Sequence, residues 1–318
     1  YTGSSTIRSS AGNVSINSIG YNGIHLNDNS TTIQAYGDLT INALGKTEIA
    51  MYGVASGTCA SSQCGLISDT GNITINAIAK DNSANSYYAY YLRNPVVANG
   101  TDPGKGNVYI SASGKYGAIR GDGGSYGYIK AQGNIDLIAY GGSSNGHGFY
   151  VDSAGAALTS NSGGYLRSTA GDITLSIYDA YDVGLYANST STNIVALAGD
   201  IVFQGASLSA NATNALADAN AGIVSAYNSA LSQITGAANP RTATPTGFAA
   251  PSAGTAVIGK FWGIQWKGNV LAVNNPYSLI NSNTAPSSGG SITIAGRVIN
   301  AVTPGTSDTG SGLTIWDG

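Results

Sequence analysis

One phrase recurs along this chain and restricts what it can fold into. Its clearest form is AGDITLS, Ala170 to Ser176. A small residue and Gly171 lead into Asp172, after which Ile173, Thr174, Leu175 and Ser176 alternate apolar with polar. This is a tight turn feeding a strand with Ile173 and Leu175 on one face. Copies begin at Ala11 (AGNVSIN), Tyr36 (YGDLTIN), Thr70 (TGNITIN), Lys105 (KGNVYIS), Gln132 (QGNIDLI), Ala198 (AGDIVFQ) and Gly289 (GGSITIA). Their glycines, Gly12, Gly37, Gly71, Gly106, Gly133, Gly171, Gly199 and Gly290, lie 25, 34, 35, 27, 38, 28 and 91 residues apart. Spacings of about 20–50 residues mark a repeat architecture. Uneven spacing suits a solenoid whose turns accept insertions.

Two further phrases interleave with the first. A Gly followed by alternating apolar residues appears as NGIHL (Asn22 to Leu26), CGLIS (Cys64 to Ser68), YGAIR (Tyr116 to Arg120), HGFYV (His147 to Val151), VGLYA (Val183 to Ala187) and WGIQW (Trp262 to Trp266). A looser strand pattern appears as TTIQA (Thr31 to Ala35), YGYIKA (Tyr126 to Ala131), GYLRST (Gly164 to Thr169) and TNIVALA (Thr192 to Ala198). Each strand has one or two apolar residues to bury and cannot bury them alone. Stacking coils about 4.8 Å apart makes one core from like residues. The fold expected is all-β: a right-handed parallel β-helix (solenoid) of about ten coils, three short strands per coil, with one inserted amphipathic helix. The hand follows from the crossover rule. Ser15, Thr40, Thr74, Thr174 and Thr293 are expected to face out as a Ser/Thr ladder. Asn and Asp after the Gly are expected to hydrogen-bond turn backbone.

Composition agrees. Charged residues make up 9% of the chain and 45 of 318 residues are Gly, against the usual quarter and about 7%. The 42% apolar content is that of a folded chain rather than a disordered one. The net charge is −3, and the 13 Lys and Arg stand singly, so no stripe for nucleic acid exists. No apolar run approaches the ~20 residues of a membrane helix. The chain begins at Tyr1 in mid-pattern, which reads as a processed protein or a piece of a longer one.

The insertion expected is the long gap before Gly290. Coils are placed at 1–207 and 261–318, and the segment 208–260 lies between them. Leu216, Ile223, Tyr227, Leu231 and Ile234 recur at helical spacing over 209–235, with Ser207 or Ser209 as cap and Gly236 as stop. Pro240, Pro245 and Pro251 mark an extended segment after it. Asn82 to Pro103 reads as a protruding hairpin or loop, with Tyr87, Tyr88, Tyr90 and Tyr91 as a candidate ligand or partner contact. Tyr combines large contact area with a polar tip, which suits sugar stacking or protein contact. Stacked Tyr that only stiffen the surface are the plainer alternative.

The termini read as parts of one coil. GLTIWDG (Gly312 to Gly318) followed by YTGSSTIRSSAGNVSIN has the grammar of Gly23 to Asn42. Neither end carries the polar or helical cap usual for a solenoid. Tyr1, Thr314, Ile315 and Trp316, together with Leu216, Ile223, Tyr227 and Leu231, are therefore the expected subunit contacts. Partners are a second copy joined head to tail or a covalent tandem repeat, with a glycan as a further candidate and neither nucleic acid nor a membrane span. Head-to-tail contacts make open fibres.

Chemistry is thinly represented. Cys59 and Cys64 read as a small-loop disulfide of an oxidising compartment, with two free thiols or half of a metal site as alternatives. Asp179 and Asp182, near Asp152 or Asp172, are the candidates for paired-carboxylate glycan chemistry. Asp38, Asp172 and Asp200, however, occupy a slot that Asn or Ser fills elsewhere, which marks them as turn residues. His25 and His147 read as surface residues. No enzyme, metal or cofactor is expected.

The AGDITL and TGNITI phrases, with Gly-Asp or Gly-Asn turns and few charges, resemble filamentous haemagglutinin-like adhesins and related autotransporter passenger domains of secreted bacterial proteins. The resemblance covers about Tyr1 to Ser207 and Phe261 to Gly318. It implies a right-handed β-helix outside the cell, acting in adhesion or as a surface fibre. The inserted helix departs from that pattern. The function expected is a structural subunit of an extracellular fibre on the bacterial surface. The alternatives are an adhesin using Tyr-rich loops and a polysaccharide-acting enzyme.

Overall fold

A computed structural model describes residues 5–26, 31–45, 49–53, 65–79, 88–114, 117–121, 127–141, 149–151, 166–180, 183–187, 193–209, 262–266, 270–273, 292–300 and 311–315. Among these there are strands and turns and no helix. The strands come in threes, each three forming one coil.

The first coil holds β1 (Thr6–Ser9), β2 (Val14–Gly20) and β3 (Ile24–Leu26), and the second β4 (Thr32–Ala35), β5 (Leu39–Gly45) and β6 (Met51–Gly53). The third holds β7 (Gly65–Ser68), β8 (Ile73–Ala79) and β9 (Tyr90–Leu92), and the fourth β10 (Val96–Ala98), β11 (Val108–Gly114) and β12 (Ile119–Gly121). The fifth holds β13 (Ile129–Ala131), β14 (Ile135–Gly141) and β15 (Phe149–Val151), and the sixth β16 (Leu166–Ser168), β17 (Ile173–Ala180) and β18 (Val183–Ala187). The seventh holds β19 (Asn193–Ala196), β20 (Ile201–Ser209) and β21 (Trp262–Trp266), and the eighth β22 (Val270–Val273), β23 (Ile292–Asn300) and β24 (Ser311–Ile315). Every third strand pairs in parallel, giving three eight-stranded sheets. The fold is a parallel β-helix, with eight coils among the described residues. At about 4.8 Å per rung it spans roughly 34 Å from first strand to last.

Parallel sheets bury their inner face completely, so inward positions read as apolar columns. On the middle sheet, Val14, Leu39, Ile73, Val108, Ile135, Ile173 and Ile201 share one register position. Ile16, Ile41, Ile75, Ile110, Leu137, Leu175 and Phe203 share the next inward one. From the second coil onward these residues are buried and join one core cluster with Ile33, Leu66, Val96, Ile129, Leu166 and Ile194 of the first sheet.

Four expectations need correction. CGLIS does not belong with the NGIHL strands. As β7 it pairs with β4 and β10, in the sheet of TTIQA. Both sheets place two inward residues per strand, so the phrase looks alike in either. The segment Asn82 to Pro103 is not wholly a protruding loop, because it supplies β9 and β10. β20 runs to Ser209 and pairs with β23 along its length, so Ser207 lies within a strand rather than capping a helix, and Leu208 and Ser209 of the segment placed at 208–260 are strand. Finally, Ser15, Thr40, Thr74, Thr174 and Thr293 do share one register column, but Tyr109, Asp136 and Val202 interrupt it and Thr74 is buried. The helix assigned to 209–235, with Leu216, Ile223, Tyr227 and Leu231, lies outside the described residues from 210 onward.

Candidate functional site

The recurring phrase forms one corner, between the first and second sheets. Its length is three residues between β4 and β5 and between β13 and β14, four between β1 and β2, β7 and β8, β16 and β17, and β19 and β20, nine between β10 and β11, and 18 between β22 and β23. The longest connection lies at the next corner, where 210–261 separates β20 from β21.

A continuous ladder ties this corner together from coil to coil. The amide of Asp38 donates to Asn13 Oδ1 at 2.7 Å, and the amide of Asn72 donates to Asp38 Oδ1 at 2.8 Å. The amide of Asn107 donates to Asn72 Oδ1 at 3.0 Å, and that of Asn134 to Asn107 Oδ1 at 2.7 Å. The amide of Asp172 then donates to Asn134 Oδ1 at 2.9 Å, and that of Asp200 to Asp172 Oδ1 at 2.8 Å. Each corner oxygen accepts the amide one coil further on. Asn and Asp serve equally because only the oxygen is needed, so these aspartates are structural acceptors.

The preceding glycine is steric. A Cβ on Gly37 would lie 2.2 Å from Asn13 Oδ1, one on Gly133 2.3 Å from Asn107 Oδ1, and one on Gly171 2.5 Å from the Gly133 carbonyl carbon. Two serines add to the corner. Ser68 Oγ accepts from the Gly71 amide at 3.0 Å and donates to the Gly37 carbonyl at 2.8 Å. Ser168 Oγ accepts from the Gly171 amide at 2.9 Å and donates to the Gly133 carbonyl at 2.7 Å. Lys105 reaches back two coils to Asp38, Nζ to Oδ1 3.2 Å. Both side chains are 40% exposed, so the pair contributes under about 1 kcal/mol.

Asn107→Ala should cost roughly 1–3 kcal/mol. It leaves the amide of Asn134 without its acceptor and removes the Nδ2 bonds to Asn72 Oδ1 (3.0 Å) and the Gly104 carbonyl (2.9 Å). Urea unfolding checks this; a change below ~0.5 kcal/mol would mean the ladder is decorative.

A second ladder escaped the sequence reading. Asn17, Asn42 and Asn76 share an outward register position, and Nδ2 donates to Oδ1 from Asn42 to Asn17 (2.7 Å) and from Asn76 to Asn42 (2.8 Å). Its signal was present: the first three copies of the phrase all end in Ile-Asn.

The third sheet carries a column of a different kind, in which His25, Tyr52, Tyr91 and Arg120 occupy successive rungs and Tyr150, Tyr186, Gln265 and Thr314 hold the same register position in the later strands. His25 and Tyr52 meet edge-on at 4.9 Å, and Tyr52 and Tyr91 are tilted at 5.4 Å. Arg93 lies over Tyr52 (5.1 Å) and Tyr91 (5.5 Å), and Arg120 over Tyr91 (5.5 Å) and Tyr88 (5.8 Å). Arg93 also donates to the Tyr52 hydroxyl. Such contacts stabilise by about 0.5–2 kcal/mol each.

Of the tyrosines expected as one exposed contact, Tyr90 is separated from Tyr88 and Tyr91. Tyr90 points into the lumen at 1% exposure, in register with Met51 and Ile119. Tyr88 and Tyr91 are buried at 6% and 5% in a satellite cluster with Ile49. A residue inside the lumen has no face to offer a ligand, so Tyr90 is withdrawn from that role. Tyr87 lies outside the described residues, as do Cys59, Cys64, Asp152, Asp182, His147, Tyr1 and Trp316. Asp179 lies near the end of β17. Thr314 and Ile315 lie in β24, an edge strand of its sheet. Among the described residues no three His, Cys, Asp or Glu gather to hold a metal, and no helix is long and apolar enough to cross a membrane.

The two ends of the coil stack differ from its middle. Strands β1, β2 and β3 are edges of the three sheets, and β22, β23 and β24 are the opposite edges. Ile7 is 52% exposed, whereas Ile33 at the same register position one coil on is 2% exposed. Ile19 and Tyr21 of the first coil are also exposed.

No family model, no curated protein and no solved structure matches this chain.

Proposed function

We propose that this chain is a structural element of an extracellular fibre on a bacterial surface, a rod whose repeating coil is itself the functional part. The observation that carries this reading is the corner ladder. Six consecutive rungs take their acceptor from the coil before. A solenoid's stability is approximately a sum over neighbouring coils, so such a rung favours length. The fused core and the few charges support a rod more than a pocket. The resemblance to filamentous haemagglutinin-like exoproteins, and a disulfide between Cys59 and Cys64, would both agree with a place outside the cell.

The test is direct. Gold-labelled antibody on intact producing cells should mark surface fibres, and oriented fibres should diffract at about 4.8 Å along their axis. Label confined to the cell interior would defeat the proposal.

A second reading is favoured by the outward aromatic column of the third sheet. In this reading the chain is an adhesin, and the contact is the strip beginning at His25 and Tyr52 rather than the loop tyrosines. His25 is exposed and Tyr52 half-buried, so both offer ring area to a sugar or protein surface. Binding to an immobilised glycan panel that disappears in His25→Ala/Tyr52→Ala would favour it. Unchanged or absent binding would leave the rod alone.

A further inference from the structure

We infer that Asn99 is a modification site, the acceptor of an N-linked sugar transferred from a glycosyl diphosphate.

Six positions carry the Asn-x-Ser/Thr pattern that N-glycosyl transfer requires: Asn13, Asn29, Asn72, Asn99, Asn188 and Asn211. Asn29, Asn188 and Asn211 lie outside the described residues. The fold separates the other three. Asn72 is 7% exposed, and its Oδ1 accepts both the backbone amide and the Nδ2 of Asn107 at 3.0 Å. Asn13 is exposed, but its Oδ1 takes the Asp38 amide at 2.7 Å and lies 2.2 Å from where a Cβ on Gly37 would stand. In both, the side-chain amide that a transferase must grasp is fixed as a rung of the corner ladder. Asn99 belongs to no rung. It follows β10 directly and its backbone amide donates to the Ser68 carbonyl at 2.9 Å. Its side chain is exposed and makes no hydrogen bond among the described residues.

The turn presents the rest of the pattern. Residues 99–107 link β10 to β11 in nine residues, where the other fully described corners of this kind have three or four. Thr101, Asp102, Pro103 and Gly104 are all exposed. The base of the turn is fixed. The Lys105 amide donates to the Asp102 carbonyl at 2.9 Å, and the Gly106 amide to the Gly71 carbonyl at 3.1 Å. Gly100, the middle residue of the pattern, is pinned to the preceding coil: an added Cβ would lie 2.4 Å from the Thr70 carbonyl oxygen. Asn99 and Thr101 therefore stand out from a held base with no side chain between them.

In the transfer, Asn99 Nδ2 bonds to the anomeric carbon as that carbon's bond to the diphosphate oxygen breaks. The diphosphate leaves with the electron pair, and Nδ2 gives up one of its two protons to the transferase's base. The acceptor stays an amide, so no charge is added. A sugar there is bulky and solubilising. It costs no strand pairing, because Asn99 lies past the last residue through which β10 pairs with β7 and β13.

The test uses the full chain isolated from the cells that make it. Trypsin, cutting after Arg93 and Lys105, releases residues 94–105. Mass spectrometry of that peptide should show whole monosaccharide units on Asn99. Asn99→Gln and Thr101→Ala should each abolish the increment, while Thr101→Ser, which keeps the hydroxyl, should retain it. Both side chains are exposed, so each variant should melt within about 2 °C of the parent. An unmodified peptide overturns the inference, as does an increment that survives Thr101→Ala. So does Asn99 recovered as Asp without sugar, since Asn before Gly can lose ammonia with no enzyme. Surface fibres that carry an unmodified Asn99 would leave the fibre reading standing and remove only this site.

Discussion

Gly171→Val is expected to destabilise the chain by roughly 3–5 kcal/mol, read as a shift in its urea unfolding midpoint. The new Cβ would sit 2.2 Å from Asn134 Oδ1, 2.5 Å from the Gly133 carbonyl carbon and 2.6 Å from the Asn134 amide nitrogen. Two of those atoms are backbone of the coil beneath and cannot swing aside. Relief requires the coils to separate. Separation breaks the Asp172-to-Asn134 rung and the Ser168 bridge to the Gly133 carbonyl at the same corner. The control is Gly104→Ala. Gly104 has a φ of 75° and no atom within 4 Å of an added Cβ, so only left-handed strain is incurred, about 1–2 kcal/mol. If the two substitutions cost the same, glycine serves the corner by flexibility and not by allowing close approach.

Tyr90→Ala is expected to cost about 3–5 kcal/mol, by analogy with other aromatic-to-Ala changes in packed cores. Tyr90 is fully buried in the main cluster, between Met51 and Ile119 in its column, so truncation opens a cavity across three coils. Burial also pushes the Tyr90 hydroxyl well above its ordinary value, because the lumen disfavours a phenolate. The sign follows from proton binding. Above pH 10 the unfolded chain releases this proton while the folded chain keeps it, so unfolding becomes easier as pH rises. The stability from a neutral Tyr90 is whole below about pH 10 and falls away above it. Tyr90→Phe keeps the ring and should flatten that alkaline slope, measured by unfolding at pH 8 and pH 11. An unchanged slope would place the titrating group elsewhere, for instance at Tyr128, whose hydroxyl burial also raises.

What could be read from the sequence follows from the range of each interaction. The Gly-Asn and Gly-Asp corner is a local device of three or four residues, and its copies are similar enough to locate β2, β5, β8, β11, β14, β17, β20 and β23 without a structure. The turn role of Asp172 was legible for the same reason: Asn replaces it at Asn134 and Asn107, and only an oxygen is needed there. Strands as short as Met51–Gly53 and Tyr90–Leu92 were not legible. Three residues with two inward positions carry too little alternation to distinguish from a loop, and Tyr90 among three other tyrosines looked like surface.

The sequence by itself determined a solenoid of three-strand coils, the corner that repeats, and the apolar columns that fill the lumen, because each depends on residues a few positions apart. Only the tertiary structure decided which coil each short strand joins, that Tyr90 faces inward while Tyr91 faces the Arg93 and Arg120 stack, and that the corner oxygens pass one hydrogen bond from coil to coil. Those outcomes depend on register between segments 25 to 38 residues apart in sequence. Insertions at the corners vary that distance, so the register is set by stacking and not by spacing.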